Sequence, residues 1–495
     1  MSHALSGNGN GHCASDVLAK PASRRSSVAS VATESLVKFL TSEGEKLCGA
    51  PVRLTQHSVV FEIHGGGAEL RISEVLADFQ ITNQGQTLYC GRAVICNLVE
   101  GGSKLICEAT LEEACWTDFA FKQALRQEGR VEAEFGKFLR EWQGFYKITP
   151  EFKIVIADIQ CFLGELQVWL DRLEMATKAS SLSAGLEKKT RLVEELEARV
   201  LSSIGSLTDR LENVLNGVER AALPSHWIYC RRLLHPFTLS SPFMHRAFIK
   251  PFGYAGDHEV VAMMFRDRFQ GDSLFAQLLN SYALHLLPIT AHKNRIEYLT
   301  HRLQDEVLRS MTKGKRTRMF SLGCGPAKEA QFFLEKNTLS DQTEFTLSDF
   351  NEEALNETSR TLNEVKMRFG RQTRIKTIKS SVQQLLKDAA HPARRDRLGR
   401  FEFVYCAGLF DYLPDRTCQQ LMEVFFEMLQ PDGLLVVTNV DNHQARNQME
   451  CFLDWQLIYR TNEELKSLSP KKADPEKIGI RRDPSGVNVF LEIRK

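Results

Sequence analysis

A short loop containing two glycines is the first feature of this sequence that could do chemistry. Gly323, Gly325 and Ala327 lie between an apolar strand, RMFSL, and a helix, KEAQFFLEK. Glycines at such a turn let the backbone bend tightly and let a ligand approach the main chain closely. Asp349 follows the next strand, TEFTLS, where a carboxylate can accept hydrogen bonds from two ribose hydroxyls. The pattern predicts a site for a cofactor that contains a nucleoside.

The elements that must position these residues alternate between helices and buried strands from about residue 286 onward. After Asp349 we expect a helix over 351–362 and further strands over 374–378, 401–406, 434–438 and 487–493. Such alternation is typical of an α/β protein with a largely parallel sheet. The carboxyl ends of parallel strands meet at one edge, so the loops after these strands are expected to share a site.

The order of these motifs resembles the class I S-adenosylmethionine-dependent methyltransferases over roughly 290–495. The matching segments are LGCGPA, LSDFNEEAL, FVYCAGLFDYL and LQPDGLLVV. An NAD-binding Rossmann domain is the alternative, but it usually carries GxGxxG, and Lys328 occupies the third glycine position here. The late PDGLLVV turn and the terminal strand favour the methyltransferase.

The resemblance implies a role for each residue of the cofactor site, with S-adenosyl-L-methionine as the cofactor. Gly323, Gly325 and Ala327 would wrap the methionine half, and Asp349 would hold the ribose. The other residues expected to contact the cofactor are Phe350, Ser381, Val382, Ala407, Gly408 and, at the methionine carboxylate, Arg295. One departure matters: Ser321 stands where the family commonly has an acid for the methionine amino group, so that contact must be made elsewhere.

Residues 223–285 are in the right sequence position to form a substrate lid before the methyltransferase core. This part includes the segment PFMHRAFIKPFGYAGDHEVV. Together with HKNRIEYL, GLFDYLPD and WQLIYRTNEEL, it resembles a bacterial family that makes the methyl ester of a 3-hydroxy fatty acid as an extracellular signal for quorum sensing. The resemblance implies a small acyl substrate and a fatty acid methyl ester product.

A carboxylate acceptor would need little activation, because it is already ionised at neutral pH. It must be held in line with the sulfonium methyl, and a cation should hold its second oxygen. The candidate catalytic residues are Lys250, Tyr254, Asp257, Asp411 and Tyr412, with Arg246 and His245 as further cations. The acyl chain could be walled by Phe243, Phe248, Phe252, Met263, Met264 and Phe265, which could equally belong to the core.

Two alternatives remain for these polar residues. Lys250 and Asp257 could form an ion pair that fixes the loop. If the acceptor were a hydroxyl or an amine, a general base would be required, and Asp411, Asp257, His258 and His245 are the candidates.

Residues 45–116 show the alternating apolar pattern of short strands separated by glycine-rich turns. They predict a small β-barrel that resembles the PilZ domains, which bind cyclic dinucleotides. The family's RxxxR and DxSxxG motifs are absent, which favours a structural or interaction role. Residues 1–35, rich in Ser, Ala and Gly, predict a disordered tail.

Residues 117–222 predict a helical connector with a heptad-like apolar stripe. The stripe comprises Val193, Leu196, Val200, Ile204, Leu207, Leu211, Val214 and Val218. One interpretation is a long helical hairpin packed on its neighbours. The other is a coiled coil that pairs two subunits into a homodimer.

The composition is that of an ordinary globular protein. A net charge of +1 over 495 residues gives no global field that would favour nucleic acid. The longest apolar runs are too short for a transmembrane segment, and no signal peptide is apparent. The 12 cysteines are scattered without CxxC spacing, a pattern that predicts a reduced cytoplasmic protein and no metal site.

Taken together, the sequence predicts a multidomain α/β protein. A β-barrel and a helical connector precede a methyltransferase, residues 223–495, with a Rossmann-like seven-stranded sheet in its core, residues 290–495. The first functional hypothesis is O-methylation of a carboxylate, and the second is methylation of another small molecule. A third is a non-catalytic regulatory protein that senses a ligand, against which the glycine loop, Asp349 and the complete lid all argue.

Overall fold

The computed structural model describes residues 35–55, 57–64, 70–83, 85–101, 104–112, 115–117, 130–145, 148–178, 182–311, 316–395 and 398–495. The predicted disordered tail, residues 1–35, lies outside these ranges except for its last residue. The described chain forms a closed barrel, a helical region and a seven-stranded sheet, which confirms the fold class predicted from the sequence.

The barrel consists of six antiparallel strands in the order β1-β2-β3-β6-β5-β4. The strands are β1 (Ser35–Leu40), β2 (Lys46–Leu54), β3 (Ser58–His64), β4 (Val75–Asn83), β5 (Gln86–Gly101) and β6 (Lys104–Leu111). Large aromatic side chains fill the interior, where the fully buried rings of Phe61 and Phe79 lie 5.7 Å apart. The barrel begins at Ser35, ahead of the boundary expected at residue 45, because β1 closes it by pairing with both β2 and β4.

The helical connector contains the helices Arg130–Phe145, Pro150–Lys178 and Leu182–Asn216. Four residues of the heptad-like stripe, Val193, Val200, Ile204 and Leu211, are buried in one core cluster with Phe152 and other residues of the preceding helix. This half of the stripe therefore packs within the chain, as the helical-hairpin interpretation predicts, and pairing of two subunits through the connector stays a prediction.

The lid is a set of short helices that share this same core cluster. They are Leu223–Thr238, Pro242–Ile249, His258–Met263 and Leu274–Leu284, preceded by a 3₁₀ turn at Arg220–Ala222. The segment from Met449 to Trp455 also belongs to the cluster. The lid is thus joined to the C-terminal domain by a common hydrophobic core.

The C-terminal sheet has the order β12-β13-β11-β10-β7-β8-β9. Its strands are β7 (Thr317–Leu322), β8 (Thr343–Asp349), β9 (Arg374–Lys379), β10 (Phe401–Cys406), β11 (Leu429–Val440), β12 (Ile478–Arg482) and β13 (Asn488–Arg494). Strands β7 to β11 are parallel, and β13 pairs antiparallel with both β11 and β12. The strand-by-strand assignment from sequence lacks β12, because IGIRR is short and largely exposed.

Helices cover both faces of this sheet, which explains why its central strands, such as β10, are almost wholly buried. The helices of this part of the chain are Leu287–Met311, Lys328–Lys336, Glu352–Phe369, Val382–Ala390, Pro392–Arg395, Asp415–Met428, Arg446–Leu453 and Asn462–Ser467, with 3₁₀ turns at Thr338–Gln342, Phe410–Tyr412 and Pro475–Lys477. Of these, Arg446–Leu453 packs in the lid core cluster. The loops after β7, β8, β9 and β10 all open into one cleft beneath the lid.

Candidate active site

The glycine loop after β7 is tied to the end of β8. The backbone N–H of Cys324 donates to the carbonyl of Ser348 at 3.1 Å, and the N–H of Gly325 donates to Oδ2 of Asp349 at 3.0 Å. Ala327 begins the following helix with a left-handed φ of 47°, a conformation that usually requires glycine. The loop is therefore held in a fixed curve around the space in front of β7.

Asp349 is a buried carboxylate at the carboxyl end of β8. Its two oxygens accept hydrogen bonds from the N–H groups of Gly325 and Asn351, each at 3.0 Å. Burial raises the pKa of Asp349, and these hydrogen bonds oppose that change by stabilising the charged form. Each oxygen retains a lone pair that could accept from a ribose hydroxyl.

Phe350 follows Asp349 and lies between two side chains from other parts of the chain. The ring of Tyr254, from the lid, lies 5.1 Å from the Phe350 ring, centroid to centroid. The guanidinium carbon of Arg71, from the barrel, lies 4.8 Å from the same ring. The amide of Asn351 also approaches the Tyr254 hydroxyl, at 3.5 Å. Three domains therefore meet at this end of the cleft.

Arg295 is a buried cation on the helix that precedes β7. Its Nη2 atom lies 3.0 Å from Nδ1 of His292, and its Nε has no hydrogen-bond partner. Within the described part of the chain, no carboxylate lies within ion-pair distance of Arg295. Burial lowers the pKa of Arg295, and Asp411 is the main charge that opposes this change. A buried guanidinium with an unused donor is suited to an anion such as a carboxylate.

Asp411 and Tyr412 lie on the 3₁₀ turn after β10. One oxygen of Asp411 accepts from the N–H of Val440 at 2.6 Å, and burial raises the pKa of this carboxyl. The Tyr412 hydroxyl accepts from Nε1 of Trp455 at 2.8 Å, which leaves its own hydrogen able to donate. Both side chains line the cleft.

All the residues predicted to contact the cofactor line this one cleft, whose volume including its open mouth is about 1490 Å³. They are Arg295, Gly323, Gly325, Ala327, Asp349, Phe350, Ser381, Val382, Ala407 and Gly408. Three of the predicted catalytic residues, Tyr254, Asp411 and Tyr412, line it as well. Their individual roles remain predictions.

Lys250 and Asp257 do not line the cleft, contrary to the expectation that they face the methyl donor. Lys250 turns inward, where its Nζ donates to the carbonyl of Leu453 at 3.2 Å. Asp257 caps the helix His258–Met263 by accepting from the N–H groups of Glu259 and Val260. The turn residues around both positions are compatible with either orientation, so the sequence could not distinguish them.

The expected ion pair between Lys250 and Asp257 is also replaced by other contacts. Asp257 pairs with Arg246, with 3.2 Å between Nη2 and Oδ2. The other cation considered, His245, is exposed. None of these groups reaches the cleft, so the cations that do line it come from elsewhere, namely Arg71, Arg295 and Lys328.

Glu329 is a carboxylate of the cleft that sequence reasoning missed. It lies two residues after Ala327 in the first turn of the helix, is buried, and accepts a hydrogen bond from the Tyr405 hydroxyl at 2.8 Å. Burial raises the pKa of Glu329. Ser321, which stands where the family has an acid, lines the same region. The absent acid at Ser321 was the available signal that another carboxylate should be sought nearby.

Apolar side chains from the lid, from the helix Leu287–Met311 and from 449–457 form the rest of the wall. They are Val261, Met264, Ile289, Ile296, Leu299, Met449, Trp455 and Leu457. Of the residues expected to wall an acyl chain, Met264 lines the cleft, whereas Phe243 is fully buried in the lid core. The apolar wall therefore exists, but it is built mostly by residues other than those expected.

The described residues contain no cluster of three or more His, Cys, Asp or Glu side chains arranged to hold a metal ion. Among the helices in those same ranges, none combines the length and the apolar character needed to cross a bilayer.

Residues 320–435 match the family model described as a methyltransferase domain. A comparison with curated protein sequences finds no match. The matched segment runs from β7 through the glycine loop, Asp349 and the β10 loop into β11, and so contains the core of the cleft.

Among solved structures, the chain is similar to magnesium protoporphyrin IX methyltransferase (ChlM) from Synechocystis PCC 6803 with bound S-adenosylhomocysteine. The sequence identity is 8%, the TM-score is 0.29, and the match covers 41% of this chain and 84% of that one. A possible exported protein from Bordetella parapertussis gives 15% identity and a TM-score of 0.36 over 63% and 96% of the two chains. An O-methyltransferase candidate from Nostoc punctiforme PCC 73102 gives 12% identity and a TM-score of 0.31, and the match covers 52% of this chain and 71% of that one.

Because these TM-scores are low, the assignment depends on the family match and on the geometry of the site. The matched segment carries the glycine loop and Asp349, and the buried guanidinium of Arg295, whose Nε has no hydrogen-bond partner, lines the same cleft. These features fit S-adenosylmethionine, whose ribose hydroxyls and methionine carboxylate lie on opposite sides of its sulfonium. The chain therefore contains an S-adenosylmethionine-dependent methyltransferase domain, which follows a β-barrel and a helical region.

Proposed function

We propose that this enzyme methylates a carboxylate on an acyl substrate and releases a methyl ester. The 3-hydroxy fatty acid expected from the sequence is the substrate we favour. The bound cofactor would supply its methyl group to one carboxylate oxygen and leave as S-adenosylhomocysteine, and the residues of the cleft would hold that oxygen in line with the methyl group. No proton is transferred, because the acceptor is already ionised at neutral pH.

The observation that carries this proposal is the composition of the cleft wall supplied by the lid and by 449–457. Aliphatic and aromatic side chains such as Val261, Met264 and Trp455 dominate it. Among them stand the hydroxyls of Tyr254 and Tyr412, which line the same space. An apolar wall with a few directed hydroxyl donors suits an acyl chain that ends in a carboxylate.

Two further residues would hold the methionine part of the cofactor. Arg295 has an unused Nε donor and would bind the methionine carboxylate. Glu329 would accept from the methionine amino group, in place of the acid that Ser321 does not provide. When bound, the cofactor supplies the electrophilic methyl group. The chain's own residues then bind it, exclude water and orient the acceptor.

The experiment supplies S-adenosylmethionine labelled in its methyl group and a matched set of acceptors. The set contains a 3-hydroxy fatty acid, the fatty acid without the hydroxyl, and the primary amide of the 3-hydroxy acid. We expect label in the first two products and none in the amide, because the amide has no ionised oxygen. Alkaline hydrolysis should release the label as methanol, which identifies an ester.

The control for this experiment is Asp349→Ala, which should abolish labelling by preventing cofactor binding. Label that survives alkaline hydrolysis would identify an ether on the hydroxyl and contradict the carboxylate proposal. Label that appears only with acceptors of another chemical class would do the same.

A second candidate acceptor is a hydroxyl group, and the position of Asp411 favours it. Asp411 lines the cleft, and burial raises the pKa of its carboxyl above the ordinary value. A carboxylate with a raised pKa is a better general base near neutral pH. The alkaline-hydrolysis step separates this candidate from the first.

The cysteines support a reducing compartment such as the cytoplasm as the place where the reaction occurs. Every cysteine in the described ranges is a free thiol, and Cys230, Cys324, Cys406 and Cys418 are buried. Buried free cysteines serve as small apolar residues in such a compartment.

A further inference from the structure

The barrel is attached to the catalytic cleft through one of its loops, residues 70–75, which we call the barrel loop. The N–H of Val75 donates to the carbonyl of Gly253 in the lid at 2.6 Å. The N–H of Gln456 donates to Oγ of Ser73 at 2.7 Å, and that hydroxyl donates to the carbonyl of Gln456 at 3.1 Å. The barrel loop is thus held by both the lid and the segment that walls the cleft.

The barrel loop has a defined internal structure. One oxygen of Glu74 accepts from the N–H and the hydroxyl of Ser42, at 2.8 and 2.7 Å. Its other oxygen accepts from the N–H of Arg71 at 2.9 Å. Glu74 is buried, and a carboxylate with three such bonds fixes the direction in which Arg71 leaves the backbone.

Arg71 extends from the barrel loop into the cofactor cleft. It is 5% exposed, which is unusual for arginine. One of its guanidinium nitrogens pairs with Glu43 at 2.5 Å, and the group as a whole lies over the Phe350 ring. Burial raises the pKa of Asp349, and the charge of Arg71 is one of the groups that oppose this rise. The guanidinium therefore stands beside both residues expected at the adenosine end.

We propose that Arg71 is a cofactor-binding residue and that the barrel completes the S-adenosylmethionine site. Its guanidinium packs on the adenosine end of the cofactor beside Phe350, next to Asp349, which accepts from the ribose hydroxyls. Cofactor binding and docking of the barrel loop are then linked, so that each strengthens the other. The proposal rests on the cofactor and on the position of Asp349, and it is independent of the methyl acceptor.

The test measures the affinity of the full-length protein for S-adenosylhomocysteine by calorimetry. Arg71→Ala should weaken binding about tenfold or more, and Arg71→Lys should weaken it less, since the charge remains and the planar stacking group is lost. Arg92→Ala is the matched control. Arg92 also joins the barrel to the lid, by donating to the carbonyl of Phe248 at 3.2 Å, but it does not line the cleft. The Arg92→Ala variant should bind S-adenosylhomocysteine with an affinity within about twofold of that of the wild type.

Hydrogen exchange provides a second measurement on the same proteins. Exchange of the Val75 amide reports docking of the barrel loop, because this N–H is bonded to Gly253. S-adenosylhomocysteine should slow its exchange in the wild type and in Arg92→Ala, and slow it less in Arg71→Lys.

Three outcomes would overturn the proposal. Unchanged affinity in Arg71→Lys and Arg71→Ala, while Asp349→Ala loses binding, would exclude a role for Arg71 and leave the cofactor assignment intact. Equal losses in Arg71→Ala and Arg92→Ala would indicate general loosening of the interface. A wild type that does not bind S-adenosylhomocysteine would overturn the cofactor assignment together with this inference.

Discussion

The guanidinium of Arg295 lies directly against the α-carbon of Gly408: a β-carbon at Gly408 would come within 2.8 Å of Nη2. One residue belongs to the helix before β7 and the other to the loop after β10, so the contact joins two elements that are distant in sequence. It also explains why a glycine is needed at this point of the cleft, since any side chain would displace the cation.

Gly408→Ala should therefore weaken binding of S-adenosylhomocysteine by about tenfold or more, because it moves the group that would hold the methionine carboxylate. Gly486→Ala is the matched control. Gly408 and Gly486 have similar positive φ values, 81° and 76°, but a β-carbon at Gly486 meets no atom within 4 Å. Both variants place an alanine at a similar left-handed backbone conformation and so carry similar strain. Only Gly408→Ala should lose affinity for S-adenosylhomocysteine. Equal affinities in calorimetry would contradict the role of Arg295.

Glu329→Gln should weaken the binding of S-adenosylhomocysteine by about tenfold, because a neutral amide cannot form an ion pair with the ammonium group of the methionine part. The same variant should bind 5′-methylthioadenosine as the wild type does, since that ligand has no amino acid part. Asp349→Asn should weaken the binding of both ligands, because both contain the ribose. Loss of 5′-methylthioadenosine binding in Glu329→Gln would indicate a general disturbance of the cleft instead.

The cofactor residues could be predicted from sequence because they follow strands. Gly323, Asp349, Ser381 and Gly408 each stand at the carboxyl end of a parallel strand, and that position fixes where they point. Apolar runs locate such strands well. For these residues, the local pattern that predicts the strand therefore also predicts the position of the residue in the cleft.

Other parts of the site could not be predicted, because their orientation depends on packing between domains. Arg71 belongs to the barrel, and nothing local indicates that its loop enters the cleft. Lys250 and Asp257 have the turn residues expected of a lid, yet they face the core and a helix end. Glu329 stands in the helix KEAQFFLEK, whose sequence alone does not show that this side chain is buried at the cleft.

The acceptor class determines how the rate should depend on pH. A carboxylate acceptor predicts that kcat/KM rises near the acceptor's own pKa, about 4 to 5, and then stays level to pH 9. Asp411→Asn should then lower the rate without changing the shape of the profile. If Asp411 is a general base, the rate rises as pH increases through its raised pKa, and Asp411→Asn removes that limb. Loss of a pH-dependent limb in the variant would favour the hydroxyl acceptor.

Lys250 offers a test of stability that separates a structural role from a catalytic one. Burial lowers the pKa of Lys250 to about 7, whereas in the unfolded chain it remains near the ordinary value for lysine. Between these values the unfolded state binds a proton that the folded state does not, so the wild type gains stability as pH rises. The gain should be about 2 to 3 kcal/mol between pH 7 and 9.

Lys250→Met should abolish this pH dependence and keep turnover close to that of the wild type, because the side chain lies outside the cleft. Denaturant unfolding at several pH values measures the first effect, and the labelled-methyl assay measures the second. Lys379→Met, at a lysine whose side chain is 61% exposed, is the control and should keep the wild-type profile. A large loss of turnover in Lys250→Met with unchanged stability would indicate that Lys250 is a catalytic residue, since a buried structural lysine cannot affect the rate without affecting the fold.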